Sequence, residues 1–323
     1  MKHDPHLSDT APVFARIRRE PGQHVPKGLL ILVLIFALIT LLDAAWQSIL
    51  AFLISFSMCS FMPADRAKHF FDAPSRSVLL MLFLTAVSIT LTFLYCRLIE
   101  RRSARSLGIT KQHFLPDYLL GFFIGTGMMA ASVFLALAGG AVRFCGISKQ
   151  IPGGMILLFL AGWIIQGFSE ELTFRSFLMM SAGTYHTPVT SVFVSSLLFA
   201  AAHLANDGIS IPAFLNLFLF GVLTALIFLR TDSIWCGAAL HSFWNMAQSN
   251  FFGLKVSGLD IGASILSFEQ TDGKALLNGG GFGLEGAVGT TAVLLAAISL
   301  VFLMKQRIPQ DPAIQYAEKG EVI

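Results

Sequence analysis

Six residues in this sequence have the types and spacing to do chemistry, and all of them sit in apolar runs. Glu170, Glu171 and Arg175 share one run, His203 closes the next, and His241 and Asn245 share a third. An ionisable side chain near the bilayer centre costs about 2.5–3.5 kcal/mol on insertion scales, so each requires a partner or a function. Glu171 and Arg175 are i and i+4, share a helix face and can pair, which removes much of the cost of burying either. Glu170 lies about 100° round the same helix and is left over, available as a general base or acid.

A carboxylate and an imidazole that reach one water, Glu170 and His203, can deprotonate it for attack on a carbonyl, and either can then protonate the leaving amine. The tetrahedral intermediate needs donors aimed at its oxyanion. A ring N–H of His241 and the amide of Asn245, one turn apart, supply two, each worth roughly 3–4 kcal/mol if preorganised. Phe199 stands one turn before His203, and Trp244 and Gln248 extend the stripe of His241. No serine or cysteine nucleophile is indicated, because Cys236 points elsewhere on the helix of His241. Two other uses of the same groups stay open: a polar network that only locks helices together in a non-catalytic scaffold or immunity protein, and a proton relay in a small-molecule transporter.

These groups need helices to carry them. Charged residues are 13% of the 323 positions and hydrophobic ones 55%, where a soluble domain has about 25% charged. The apolar residues gather into runs near the ~20 residues that cross a bilayer, without the period-2 alternation of barrel strands, so the expected fold is all-α, a polytopic bundle of about eight transmembrane helices. The expected spans are Leu29 to Phe61, Val78 to Leu98, Tyr118 to Ala141, Ile151 to Met180, Val189 to Leu204, Ile211 to Leu229, Ile234 to Phe252 and Ala287 to Met304. Pro63 ends the first run. Pro116, Pro152, Pro188 and Pro212 stand at the starts of later ones, with Thr187 and Ser210 as N-caps.

The stretch from Gly253 to Gly286, with Gly279, Gly280 and Gly281, is too long for a simple connection and reads as a lid or re-entrant loop. With polar tails at 1–27 and 305–323, residues 28–304 form one membrane domain. Cys59, Cys96, Cys145 and Cys236 have no paired or metal-ligand spacing and read as small hydrophobes. Lys and Arg favour one set of flanks by about two to one, led by Arg97, Arg101, Arg102, Arg105 and Lys111, which places both termini in the cytoplasm, most simply of a plasma membrane. The net charge of +3 carries no basic stripe with interleaved aromatics, so nucleic acid is not an expected partner. Asp43, with Gln47 one turn on, and Asn216 are expected to close interhelical hydrogen bonds and are left out of the site.

Glu170-Glu171-Leu-Thr-Phe-Arg175 reads E-E-x-x-x-R, Phe199-Ala-Ala-Ala-His203 reads F-x-x-x-H and His241-Ser-Phe-Trp-Asn245 reads H-x-x-x-N. In this order, each in an apolar run, they resemble the CPBP family of intramembrane proteases, which includes the Rce1-type CAAX prenyl endopeptidases and the bacterial abortive-infection and bacteriocin-immunity (Abi) proteins. The resemblance runs from about Leu98 to Met304, with Leu107-Gly108-Ile109 and the glycines of 279–286; the first two spans match only in hydropathy. It implies an intramembrane endopeptidase in which Glu170 works with His203, His241 and Asn245 hold the oxyanion, and Glu171 and Arg175 hold the site together.

The substrate expected from that resemblance is a membrane-anchored peptide or protein in the lipid bilayer, prenylated or not. The expected cofactor requirement is none. The alternative is a metalloprotease-like zinc site with His203, His241 and Glu170 as ligands; against it stand the lack of H-E-x-x-H, donors on three separate helices, and the weakness of Asn245 as a zinc ligand.

Overall fold

A computed structural model of the chain describes residues 12–20, 22–61, 73–148, 153–305 and 307. Among them are nine helices, α1 (Pro12–Arg19), α2 (Leu29–Phe61), α3 (Pro74–Ile99), α4 (Phe114–Ala138), α5 (Gly153–Tyr185), α6 (Pro188–Ala202), α7 (Ile211–Thr231), α8 (Trp235–Met246, continued by a π turn over Ala247–Phe251) and α9 (Val288–Leu303). The eight expected spans are α2 to α9. By length and composition α2, α3, α4, α5 and α7 suffice to cross a membrane, and α6 and α9 are shorter apolar helices. The chain is an integral membrane protein. Pro63, Ile151 and Pro152, assigned to span boundaries, lie outside the described residues, as does most of the C-terminal tail.

The proline and cap reading holds at two helix starts. Thr187 Oγ1 accepts from Thr190 N at 3.2 Å with Pro188 at the first helical position, and Ser210 Oγ accepts from Ala213 N at 3.3 Å ahead of Pro212. Each cap satisfies an N–H that lipid would leave bare. Helix α6 has 15 residues, about 22 Å of helix against about 30 Å of hydrocarbon. It therefore stops short, and His203 is its C-cap.

The fold is the all-α bundle expected, with one addition: Val142–Ile147 (β1) and Leu266–Gln270 (β2) pair antiparallel, joining the loop after α4 to the loop before α9. The N-terminal segment is more than a polar tail. Val13, Phe14 and Ile17 of α1 are fully buried, and a Cβ on Gly183 would lie 2.2 Å from the Phe14 ring, so α1 docks on the C-terminal end of α5. The spacing of those three residues was the available signal.

The basic cluster also divides. Arg102 is fully buried, bonded to Glu100 Oε2 at 2.9 Å, Ser181 Oγ at 2.8 Å and the Ser176 carbonyl at 2.9 Å. It ties the loop after α3 to α5 rather than facing a membrane surface.

Helix α8 is the centre of the bundle, packed between α4 and α5. Glycine makes this possible: a Cβ at Gly125 on α4 would meet the Leu240 carbonyl oxygen at 2.3 Å, and one at Gly167 on α5 would meet Ser242 Oγ at 2.4 Å. Small residues let membrane helices approach backbone to backbone, and here they set the depth and rotation of the turn carrying His241.

Candidate active site

Glu170 and Glu171 end the α-helical part of α5, and the next eight residues, Leu172–Met179, wind as a π-helix. Such bulges insert an extra residue into the helical repeat and recur at functional sites. Arg175 lies in this segment, with Nε 3.2 Å from Glu171 Oε2 and 2.8 Å from Thr224 Oγ1, and its guanidinium carbon 4.7 Å from the centre of the Phe199 ring. The expected Glu171–Arg175 pair is thus present and buried, with an aromatic face against the cation.

His241 sits between the two glutamates. Its Nδ1 is 3.0 Å from Glu171 Oε1, and its Nε2 is 3.5 Å from Glu170 Oε2. Glu171, ion-paired to Arg175, accepts, so Nδ1 carries the hydrogen and Nε2 is the nitrogen turned to Glu170. Glu170 Oε1 accepts from Gln166 Nε2 at 2.7 Å, while its Oε2 is buried with no hydrogen-bond partner. Gln166 Oε1 in turn accepts from Asn245 Nδ2 at 3.0 Å. A chain of contacts therefore runs from Asn245 through Gln166 and Glu170 to His241.

His203 comes to the cluster from the other side. Its Nδ1 is 2.9 Å from the Phe199 carbonyl, an acceptor only, which leaves Nε2 as the lone-pair nitrogen of the neutral ring. His203, His241, Asn245 and Gln166 line one small cavity of about 30 Å³, room for a single water. Glu170 does not line it. Glu170 opens instead on a second cavity beside α2 and α3, and the imidazole it touches is that of His241. Sequence spacing paired Glu170 with His203; the helices bring His241 to it.

The small cavity has an acidic lining residue that spacing did not single out. Glu285, buried in the glycine-rich segment before α9, accepts from Trp244 Nε1 at 3.3 Å, and its other oxygen accepts from Ser257 N at 2.7 Å and Ser257 Oγ at 3.0 Å. Asn216 donates to the carbonyls of Glu285 and Ala287, at 2.7 and 2.9 Å. The Gly253 to Gly286 segment is therefore folded over the site. A Cβ on Gly283, whose φ is +103°, would lie 2.1 Å from the Lys255 carbonyl oxygen. Asp43 and Gln47 bond as expected, at 2.9 Å, with Ser88 of α3 joining them.

The zinc reading requires His203, His241 and Glu170 around one ion. Among the described residues no group of three or more His, Cys, Asp or Glu side chains is disposed to hold a metal. Nδ1 of His241 is engaged by Glu171, and Glu170 and His203 face different cavities, so this donor set does not fit zinc.

Residues 152–247 match the family model of the type II CAAX prenyl endopeptidase Rce1-like proteins. That segment of the chain resembles the Rce1-like family. The match takes in α5 to α8 and every residue of the three motifs, and leaves out α1 to α4 and Glu285. No curated protein and no solved structure matches the chain.

Proposed function

We propose that the chain is an intramembrane endopeptidase that hydrolyses a peptide bond of a membrane-anchored protein or peptide through a glutamate-activated water, without a metal. The observation that carries this reading is Glu170 Oε2, a buried carboxylate oxygen with no hydrogen-bond partner, 3.5 Å from His241 Nε2. Every other carboxylate oxygen of the Glu170–Glu171 pair is engaged. Glu170 Oε2 is the oxygen free to take a proton.

The water oxygen attacks the scissile carbonyl carbon as its proton passes to Glu170, and the carbonyl π electrons move to the oxygen. Asn245 gives one N–H to Gln166 and keeps the second for that oxyanion. His203, with its lone pair on the small cavity that His241 and Asn245 also line, faces the oxyanion side of the site. The protonated Glu170 then delivers its proton to the amine nitrogen as the C–N bond breaks, which regenerates the carboxylate. Glu171 and Arg175 fix the ring of His241. Both termini are assigned to the cytoplasm, with the cleft reached from that side.

The test is cleavage of a panel of membrane-anchored peptides by purified protein in nanodiscs, wild type against Glu170→Gln, read by mass spectrometry. Fragments from wild type and none from the folded variant are expected. Equal cleavage by both would remove Glu170 from the reaction, and proton-coupled uptake of a solute into vesicles without cleavage would favour a transporter.

A further inference from the structure

At the end of the bundle where α3 leaves and α4 begins, an open cleft of about 690 Å³ lies away from the candidate active site. Its wall is drawn from the loop between Arg105 and His113, the Thr231–Asp232 turn between α7 and α8, and Arg307 after α9. Hydrogen bonds fix this frame. Ile234 N donates to the Gly108 carbonyl at 3.1 Å, Trp235 Nε1 to the Thr110 carbonyl at 2.7 Å, and Arg307 N to the Arg230 carbonyl at 2.8 Å. The Arg307 guanidinium also grips both oxygens of the buried Asp117, at 2.6 and 2.8 Å.

The backbone acceptors of this wall are already used. The Thr110 carbonyl takes the Trp235 indole, that of Gln112 takes the Thr110 hydroxyl at 3.2 Å, that of His113 takes Asp117 N at 2.9 Å, and that of Thr231 takes an Arg307 N–H at 3.4 Å. Asp232, the one acid in the wall, has a partner of its own, as does Arg105. What stays open is a row of donors. Lys111, Gln112 and His113 stand exposed in succession, their side chains without a partner among the described residues. A negatively charged group built of acceptors satisfies such a wall, and a phosphate has that character.

The surface beside the cleft tells which phosphate. Phe114 and Leu115, directly after His113, are 42% and 61% exposed at the start of the spanning helix α4, where the surroundings are lipid. The Phe114 ring meets Trp235 edge-on at 4.8 Å and Tyr118 at 5.7 Å, an aromatic group of the kind that settles at the headgroup level of a bilayer. A basic cleft thus continues into an apolar, lipid-facing surface. That is the shape of a phospholipid, with phosphate in the cleft and acyl chains along α4, whereas a soluble phosphate would use only the polar half.

We propose that this cleft binds the headgroup of an anionic phospholipid, with Lys111 and His113 holding the phosphate. The choline of a zwitterionic lipid would meet the charges of Arg105 and Lys111, so an uncharged headgroup on the phosphate is preferred. The site stands independently of the peptidase reading. Because the Thr231–Asp232 turn leads into α8, a bound headgroup braces the start of the helix that carries His241 and Asn245.

The experiment titrates the full-length protein in detergent with phosphatidylglycerol, phosphatidylcholine or glycerol 3-phosphate, reading bound lipid by native mass spectrometry and stability by thermal unfolding. Wild type is compared with Lys111→Gln/His113→Gln and with Lys255→Gln, which removes an exposed lysine from the loop before α9. Wild type is expected to bind phosphatidylglycerol about tenfold or more tighter than phosphatidylcholine and to melt at a higher temperature with it. The double variant should bind phosphatidylglycerol about fivefold or more weakly, with its lipid-free melting temperature unchanged, and Lys255→Gln should behave as wild type. Equal affinity for the two lipids, unchanged binding in the double variant, or an equal loss in Lys255→Gln would overturn the site. Glycerol 3-phosphate binding as tightly as the lipid would also overturn it, by making the ligand a soluble anion.

Discussion

His241 Nδ1 lies 3.0 Å from Glu171 Oε1, and this contact turns the opposite nitrogen of the same ring to within 3.5 Å of Glu170. Adjacent glutamates in sequence thus take opposite sides of one imidazole. Glu171, neutralised by Arg175, sets the tautomer and the ring plane; Glu170, with an oxygen unengaged, faces the nitrogen that tautomer exposes. The division of labour gives the two carboxylates different mutational signatures.

Glu170→Gln keeps shape and hydrogen bonding to Gln166 and removes the base. It should lower kcat by about 10²–10⁴, the usual contribution of general base catalysis, with thermal unfolding in detergent unchanged within a degree or two. Asn245→Ala should cost about 10²–10³ in kcat, the penalty of one oxyanion donor. A Glu170→Gln protein with wild-type kcat would place the base elsewhere.

Glu171→Gln leaves the buried Arg175 cation without its carboxylate, and breaking such a pair costs about 3–5 kcal/mol. The melting temperature should fall, and activity with it. Replacing both partners, Glu171→Leu with Arg175→Met, should recover much of the stability but not the activity, because His241 then lacks the acceptor for Nδ1. Recovery of activity along with stability would reduce Glu171 to a structural ion-pair partner.

The glycine contacts of α8 predict a steric test. Gly125→Ala and Gly167→Ala drive a methyl into backbone or hydroxyl atoms of α8 and should destabilise by roughly 1–3 kcal/mol while displacing His241. Gly127→Ala, two residues along the same helix with nothing within 4 Å of the added carbon, should be silent. Equal effects at Gly125 and Gly127 would mean that helix propensity, not close approach, sets the outcome. Activity and unfolding of the three variants decide it.

Chelation separates the water-activation schemes. With the three donors of the zinc reading split between two cavities, a strong chelator should leave turnover unchanged, and elemental analysis of active protein should find zinc well below one per chain. Stoichiometric zinc that leaves together with activity in His203→Ala and His241→Ala would replace the glutamate mechanism with a zinc one.

Much of the site is legible in the sequence because lipid makes ionisable residues costly, so Glu170, Arg175 and His241 stand out against the apolar runs that hold them. The helix starts at Pro188 and Pro212 are legible because a missing N–H and a capping hydroxyl matter most there. The choice of His241 over His203 as the neighbour of Glu170 is not legible. Helical period gives the face of each residue on its own helix, but not the depth and rotation of one helix against another, which Gly125 and Gly167 set. Glu285 escapes notice for the opposite reason to Glu170: it lies outside every apolar run, where a carboxylate is unremarkable, and only the folding of the glycine-rich segment buries it. The pairing of β1 with β2 joins segments too far apart in sequence for local pattern to connect.

The position of Glu285 and Ser257 gives the fold a temporal property. A chain is made from its N-terminus, so α5, with both glutamates, enters the membrane well before the segment that closes the cavity exists. Until Ser257 to Thr290 have emerged, Trp244 lacks its acceptor, Asn216 lacks the carbonyls that hold it, and β1 has no partner strand. The half-made chain therefore carries both glutamates without the enclosure that Glu285 and Ser257 later give the small cavity. On the peptidase proposal, the complete site forms only after that segment has been made.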